Sequence, residues 1–107
     1  MKRFGRGRLL VPADAPQVGE RHEEIARLGE EKKVVVEQIL SGTLPSPVDF
    51  DQAYDEWVVV LDGHALLEVG EERVHLVCGD WVLLPAHTSH RLVETGPGTN
   101  WLAVRVR

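Results

Sequence analysis

Between Glu56 and His90 the sequence is a ladder of short apolar runs cut by glycine-containing turns, and this ladder limits the fold more than any other feature. It begins Glu56-Trp57-Val58-Val59-Val60-Leu61-Asp62-Gly63 and ends Gly79-Asp80-Trp81-Val82-Leu83-Leu84-Pro85-Ala86-His87-Thr88-Ser89-His90. Runs this short suit strands better than helices, above all where β-branched residues, stiff at χ1, dominate them. A carboxylate enters the ladder and an imidazole leaves it. The space between Glu56 and His90 is therefore where chemistry is expected.

The flanking sequence extends the pattern. Val34-Val35-Val36 marks a first strand over Lys33 to Leu40, with Glu37 on the face of Val35 and Ile39, and Gln38 on the face of Val36 and Leu40. One of these two polar groups is expected to face inward, which makes Glu37 a candidate indirect partner of a site. Pro45 and Pro47 mark a connection, since neither suits a central strand. The segment Val48 to Tyr54 is ambiguous by pattern. Glu56–Leu61 and His64–Val69 are expected to pair as a hairpin across Asp62-Gly63. Arg73–Val77 sets Val74 and Leu76 against Arg73 and His75. Ser89–Glu94 places His90, Leu92 and Glu94 on one face, and Asn100–Val106 alternates Leu102, Val104 and Val106 with Trp101, Ala103 and Arg105. With no helices between them to make parallel crossovers, these strands predict an all-β sandwich or barrel over 34–107.

Residues 1–33 read differently. Pro12, Pro16 and Gly19 break the first stretch into an arm. From Glu20 to Leu28 the early acidic residues, the three-residue spacing of Ile25 and Leu28, and Gly29 as a stop predict a short helix with His22 on its solvated face.

Composition narrows the function. The chain has 107 residues, 43% hydrophobic and 27% charged, which fits one globular domain. Its net charge of −5 argues against a nucleic-acid surface, which needs clustered Lys and Arg to meet phosphates. Lys2, Arg3, Arg6 and Arg8 read as a solvated basic terminus. Only Leu9-Leu10-Val11 precede Pro12, too few for a secretory apolar region, and no run approaches the roughly 18 apolar residues of a membrane span. A soluble cytoplasmic protein with no nucleic-acid or membrane partner is expected. Cys78, the sole cysteine, cannot form an intrachain disulfide or a cysteine-based zinc site and reads as a small, partly buried residue. Trp57, Trp81 and Trp101 read as core or subunit-interface residues. His64 and His75 read as surface groups.

Two spacings resemble the cupin family. Glu56, six residues, then Gly63 is similar to the end of the first cupin motif, H-x-H, three or four residues, E, six residues, G. Gly79, five residues, Pro85, with His90 five positions later, is similar to the second, G-x5-P-x-G-x2-H-x3-N. The resemblance covers roughly residues 34 to 106 and implies a jelly-roll β-barrel. Two departures stand out. The first-motif histidines fall on Asp49 and Asp51 in one register or on Phe50 and Gln52 in the other, and the second motif has His87 for glycine and Glu94 for asparagine.

The resemblance implies a divalent metal site, with Glu56 and His90 matching ligand positions in residue type and Asp51 or Gln52 completing the set. Mn, Fe, Ni or Zn is the expected ion, and the carboxylate-rich donors suit hard cations. His87 is the candidate general acid or base, because an imidazole titrates near neutral pH. The expected role is action on, or binding of, a small metabolite of sugar or carboxylic-acid type. A metal-free ligand-binding or sensing module is the alternative. Apolar strand faces bearing tryptophan, in a family whose members often pair, imply a homodimer.

Overall fold

The computed structural model describes residues 4–107, so Lys2 and Arg3 of the basic terminus lie outside the described residues. Among the described residues, nine strands form two antiparallel sheets. Strands β1 (Glu20–Leu28), β2 (Val34–Ser41), β3 (Val48–Phe50), β4 (Asp55–Asp62) and β5 (His64–Val69) are followed by β6 (Glu72–Val77), β7 (Trp81–Leu84), β8 (His90–Thr95) and β9 (Thr99–Val106). One sheet has the order β1-β2-β9-β4-β7 and the other β3-β8-β5-β6. Among the described residues no helix is long and apolar enough to cross a membrane.

The two sheets face each other because each strand alternates. On β4, Val58 and Val60 point inward while Trp57 and Val59 point out. On β9, Trp101 and Ala103 point inward opposite Val60 and Val58. Leu67 and Leu92 meet across β5 and β8 and close the core from the other sheet. Burying such side chains contributes roughly 1.5–3 kcal/mol each and is the main force holding the layers together. The Trp101 ring is buried, and its Nε1–H donates to Ser41 Oγ at 3.1 Å, so its one polar atom is satisfied.

Four expectations are corrected. Glu20–Leu28 is not a helix but strand β1, paired with β2 from Glu20↔Ser41 to Leu28↔Val34. The hydrogen-bonding edge of β2 would otherwise lie open, and pairing along it outweighs the weak helical spacing of Ile25 and Leu28. A bulge at Ile25 shifts the register and accounts for that spacing. The Asp62-Gly63 turn does not close a hairpin. Both edges of β4 are occupied, by β7 and β9, so the chain crosses at Gly63 to begin the second sheet. Gly63 is required there: its φ is 89°, and a Cβ would lie 2.8 Å from the Cα of Thr99. On β8 a bulge at Val93 turns Glu94 outward and brings Thr95 in, so Glu94 does not share the face of His90 and Leu92. Cys78 is exposed, its thiol donating to the Leu61 carbonyl at 3.0 Å.

The arm is strapped to the outer face of the five-stranded sheet. The Gln38 carboxamide accepts from Leu10 N–H and donates to Leu10 C=O, both at 2.8 Å. It also donates to Asn100 Oδ1 at 2.8 Å. A buried amide on the outward face is thereby satisfied. Both polar groups of β2 are thus buried, Gln38 under the arm and Glu37 inside. The boundary expected at 33/34 falls in the turn between β1 and β2, and the two strands share one sheet.

Candidate functional site

Three rows of side chains cross the inner face of the larger sheet, and they define the site. His22, Ile39, Trp101 and Val60 form one row across β1, β2, β9 and β4. Glu24, Glu37, Ala103 and Val58 form the next, and Val35, Arg105, Glu56 and Leu84 a third across β2, β9, β4 and β7. Glu37 therefore sits diagonally from both His22 and Arg105, a separation long side chains bridge. Arg105 Nη1 donates to Glu37 Oε2 at 2.7 Å, and His22 Nδ1 lies 2.5 Å from Glu37 Oε1. Both side chains of the ion pair are almost fully buried, at 12% and 8% exposure.

These groups line a cavity of about 570 Å³ between the sheets. Ile39, Val58, Leu67, Leu84, Leu92 and Trp101 make its apolar walls. Glu20, His22, Glu37, Glu56, His90 and Arg105 supply polar groups. Tyr54 closes one side, with the Arg105 guanidinium 5.7 Å from its ring centroid, within cation–π range. The Nε of Arg105 is buried with no hydrogen-bond partner.

The electrostatics follow from burial and pairing. Burial alone would raise the Glu37 carboxyl, but hydrogen bonds from His22 and Arg105 outweigh it and hold the group below the ordinary carboxylate range. Burial would lower the Arg105 guanidinium, and the Glu37 partner reverses that to keep it charged. Glu56 behaves oppositely. It is desolvated on β4, and although His90 and Arg105 pull it down, burial prevails and its pKa rises. Burial likewise raises Glu20, against the opposing effect of His22.

The residues singled out from sequence divide between cavity and rim. Glu56 and His90 both line the cavity. His90 is buried, stacks on Phe50 with centroids 5.2 Å apart, and its Nδ1 bonds the Thr88 carbonyl at 3.0 Å. Gln52 is tied to Tyr54, Nε2 to Oη at 3.2 Å. Asp51 is 58% exposed, accepts from Ser89 Oγ at 3.3 Å and lies 3.7 Å from His87 Nδ1. Asp49 pairs at the rim with Arg91, which holds its carboxyl down by hydrogen bonding. His87 is 74% exposed on the loop before β8 and is not among the cavity-lining residues. Its φ of 60° and its N–H bond to the Gln52 carbonyl fix that outward position.

Among the described residues, no three His, Cys, Asp or Glu side chains are grouped closely enough to hold an ion. A divalent site needs three or four converging donors. Asp51, Gln52, Glu56 and His90 all border the cavity, but Asp51 bonds Ser89 and Gln52 bonds Tyr54 rather than converging with Glu56 and His90. As arranged, these residues do not fit a resident metal. The residues that sequence reading passed over are His22, Glu20 and Arg105. Their signal was the alternation of Glu20, His22 and Glu24, hidden by the helical reading, and of Trp101, Ala103 and Arg105, whose inward side the pattern left undecided.

Known proteins place this architecture. The Cupin domain family model matches residues 35–104. No curated protein matches. A crystal structure from Ralstonia eutropha JMP134, of a protein provisionally assigned as a mannose-6-phosphate isomerase, superposes with a TM-score of 0.73 at 33% identity, covering 96% of this chain and 98% of that one. KdgF from Halomonas sp. gives 0.71 at 18% identity, covering 82% and 78%. The cupin domain of an XRE-family transcriptional regulator from Enterobacter cloacae gives 0.65 at 13%, covering 83% and 97%. The last two likenesses concern the fold alone.

The raised Glu56 gives a signed prediction. A carboxyl whose folded pKa exceeds its ordinary value of 4.5 favours the fold below pH 4.5 and loses that contribution as pH rises through the folded value. Glu56→Gln, which mimics the protonated form, should match wild type in urea unfolding below pH 4.5 and be the more stable protein at pH 7. Equal stability at both pH values would show that Glu56 is not desolvated.

Proposed function

This chain belongs to the cupin family, and we propose that its cavity binds and acts on a small hydroxylated metabolite, sugar-like before carboxylic-acid-like, through its own side chains. One observation carries the reading. In a cavity of about 570 Å³, carboxylates, imidazoles and one guanidinium converge over apolar walls. That volume lies within the roughly 300–1,000 Å³ of small-molecule sites. Donors and acceptors in mixed array suit a neutral polyol ring, whose hydroxyls do both and whose C–H faces stack on Trp101 and Ile39. The acidic balance of Glu20, Glu37 and Glu56 makes a highly anionic ligand a poorer fit. The Ralstonia relative is provisionally assigned to a sugar phosphate, whose hydroxylated ring is of this kind though its phosphate is not.

Thermal denaturation against hexoses, hexose 6-phosphates including mannose 6-phosphate, sugar acids and 2-oxo acids tests the reading. At least one compound should raise the Tm, by the linkage that stabilises any protein whose folded form alone binds ligand. Glu56→Gln and His90→Ala should fold yet bind that compound at least about tenfold more weakly, equivalent to ~1.4 kcal/mol. Elemental analysis of protein purified without tag or chelator should find well under one equivalent of Mn, Fe, Ni or Zn. One equivalent, lost in His90→Ala, would restore the metal reading. No response to any compound would sink the ligand reading.

We also propose that two copies pair through the outer face of the larger sheet. Trp81 and Leu83 are 59% and 58% exposed there, Val106 is 49% exposed, and Trp57 packs against Trp81 with centroids 6.1 Å apart. Exposed apolar area of this kind marks contact surfaces. Sedimentation should give twice the 12.0 kDa chain mass, and Trp81→Lys should return the single mass. A monomeric wild type would refute the pairing.

A further inference from the structure

His22 lies on β1, before the residues matched by the family model, and its surroundings are those of a working imidazole. Its Nδ1 is 2.5 Å from Glu37 Oε1, and Glu37 is in turn held by Arg105 at 2.7 Å. An ionised carboxylate only accepts, so Nδ1 carries a proton, and in the neutral imidazole the lone pair is then on Nε2. Nε2 is 3.9 Å from Glu20 Oε2, and both residues line the cavity. The His22 side chain is about half exposed and lines the cavity, while its Nδ1 is held by Glu37. A carboxylate that fixes the tautomer and orientation of an imidazole is how bases are built for proton transfer.

We propose that His22 is a proton-transfer residue of this cavity, with Glu37 as its positioning residue, and that the substrate is a small carbonyl compound bearing a C–H next to the carbonyl. The inference rests on the cavity being the ligand site, as read above. The Nε2 lone pair takes the proton from that carbon. The C–H electron pair becomes the C=C bond of an enediolate or enolate, and the carbonyl π pair moves onto oxygen. Arg105, the fixed cation on the same inner face, favours the negative charge that develops. If the proton on Nε2 exchanges with water before one returns to the original carbon, that carbon takes up solvent hydrogen. In a hydroxyketone, return to the neighbouring carbon, with the hydroxyl proton moving between the two oxygens, gives a 1,2-shift. No oxidant or reductant is consumed.

Two measurements test this. The ¹⁵N spectrum of the ligand-free protein should show His22 as the Nδ1–H tautomer at neutral pH, with Glu37→Gln moving population towards Nε2–H. A His22 that is Nε2–H in the wild type would overturn the proposal whatever the variant does. In D₂O with dihydroxyacetone, D-fructose 6-phosphate and pyruvate as probes, the wild type should place deuterium on the carbon beside the carbonyl of at least one. His22→Gln, at a half-exposed position, should fold and lose that exchange by at least about 100-fold. A probe that shifts the amide signals of β2, β4 and β9 without exchanging, or exchange that survives His22→Gln, would overturn the role of His22 and leave the cavity reading standing. If no probe shifts those signals, the carbonyl-substrate proposal falls, and the cavity reading is decided by the wider thermal-denaturation screen.

Discussion

The buried pair between Glu37 and Arg105 constrains everything around the cavity. Taking two charges out of water costs several kcal/mol per ion, and only close, well-formed hydrogen bonds offset it. That requirement fixes the alignment of β2 and β9, because a slip of one residue between them would put the two charged groups on opposite faces of the sheet. It also recruits β1. The second oxygen of Glu37 needs a donor, and His22, diagonal to it on the neighbouring strand, provides one. The added strand and the site thus share one cause: β1 covers an open sheet edge and completes a carboxylate.

The same pair explains how a degenerate cupin motif can still frame a site. Where the family pattern has histidines, this chain has Asp49 and Asp51, or Phe50 and Gln52, and the fold spends them otherwise. Asp49 pairs with Arg91 at the rim, Phe50 stacks on His90, and Gln52 bonds Tyr54. Glu20, His22, Glu37, Glu56 and Arg105, most of the cavity's charged and titratable groups, gather instead along the larger sheet. A barrel of unchanged outline therefore presents a different set of donors and acceptors.

Much of the fold was legible because period-two alternation is a local signal. The runs at Val34, Trp81 and Asn100 announced their strands within a residue or two, and Glu56 and Gly79 marked the positions that the barrel brings together. The errors came where pairing decides. Nothing local tells whether Asp62-Gly63 closes a hairpin or carries the chain to another sheet, since that depends on β7 and β9 already flanking β4. Nothing local shows a bulge at Val93, and a bulge at Ile25 made a strand look helical. Once β1 was read as a helix, His22 became a surface residue, and its contact with a carboxylate fifteen positions away was out of reach. Glu37 was visible as an inward polar group, but its partner Arg105 lies 68 residues on.

The most direct test of this account is a double-mutant cycle on Glu37 and Arg105, measured by urea unfolding at pH 7. Arg105→Met alone strands a buried carboxylate and should cost about 3 kcal/mol or more, whereas adding Glu37→Leu removes that charge and should recover part of the loss. The coupling energy should exceed about 1 kcal/mol, the scale seen for residues in one network. A coupling below about 0.5 kcal/mol, with costs that simply add, would mean that the two side chains act independently and that the pair does not organise the cavity.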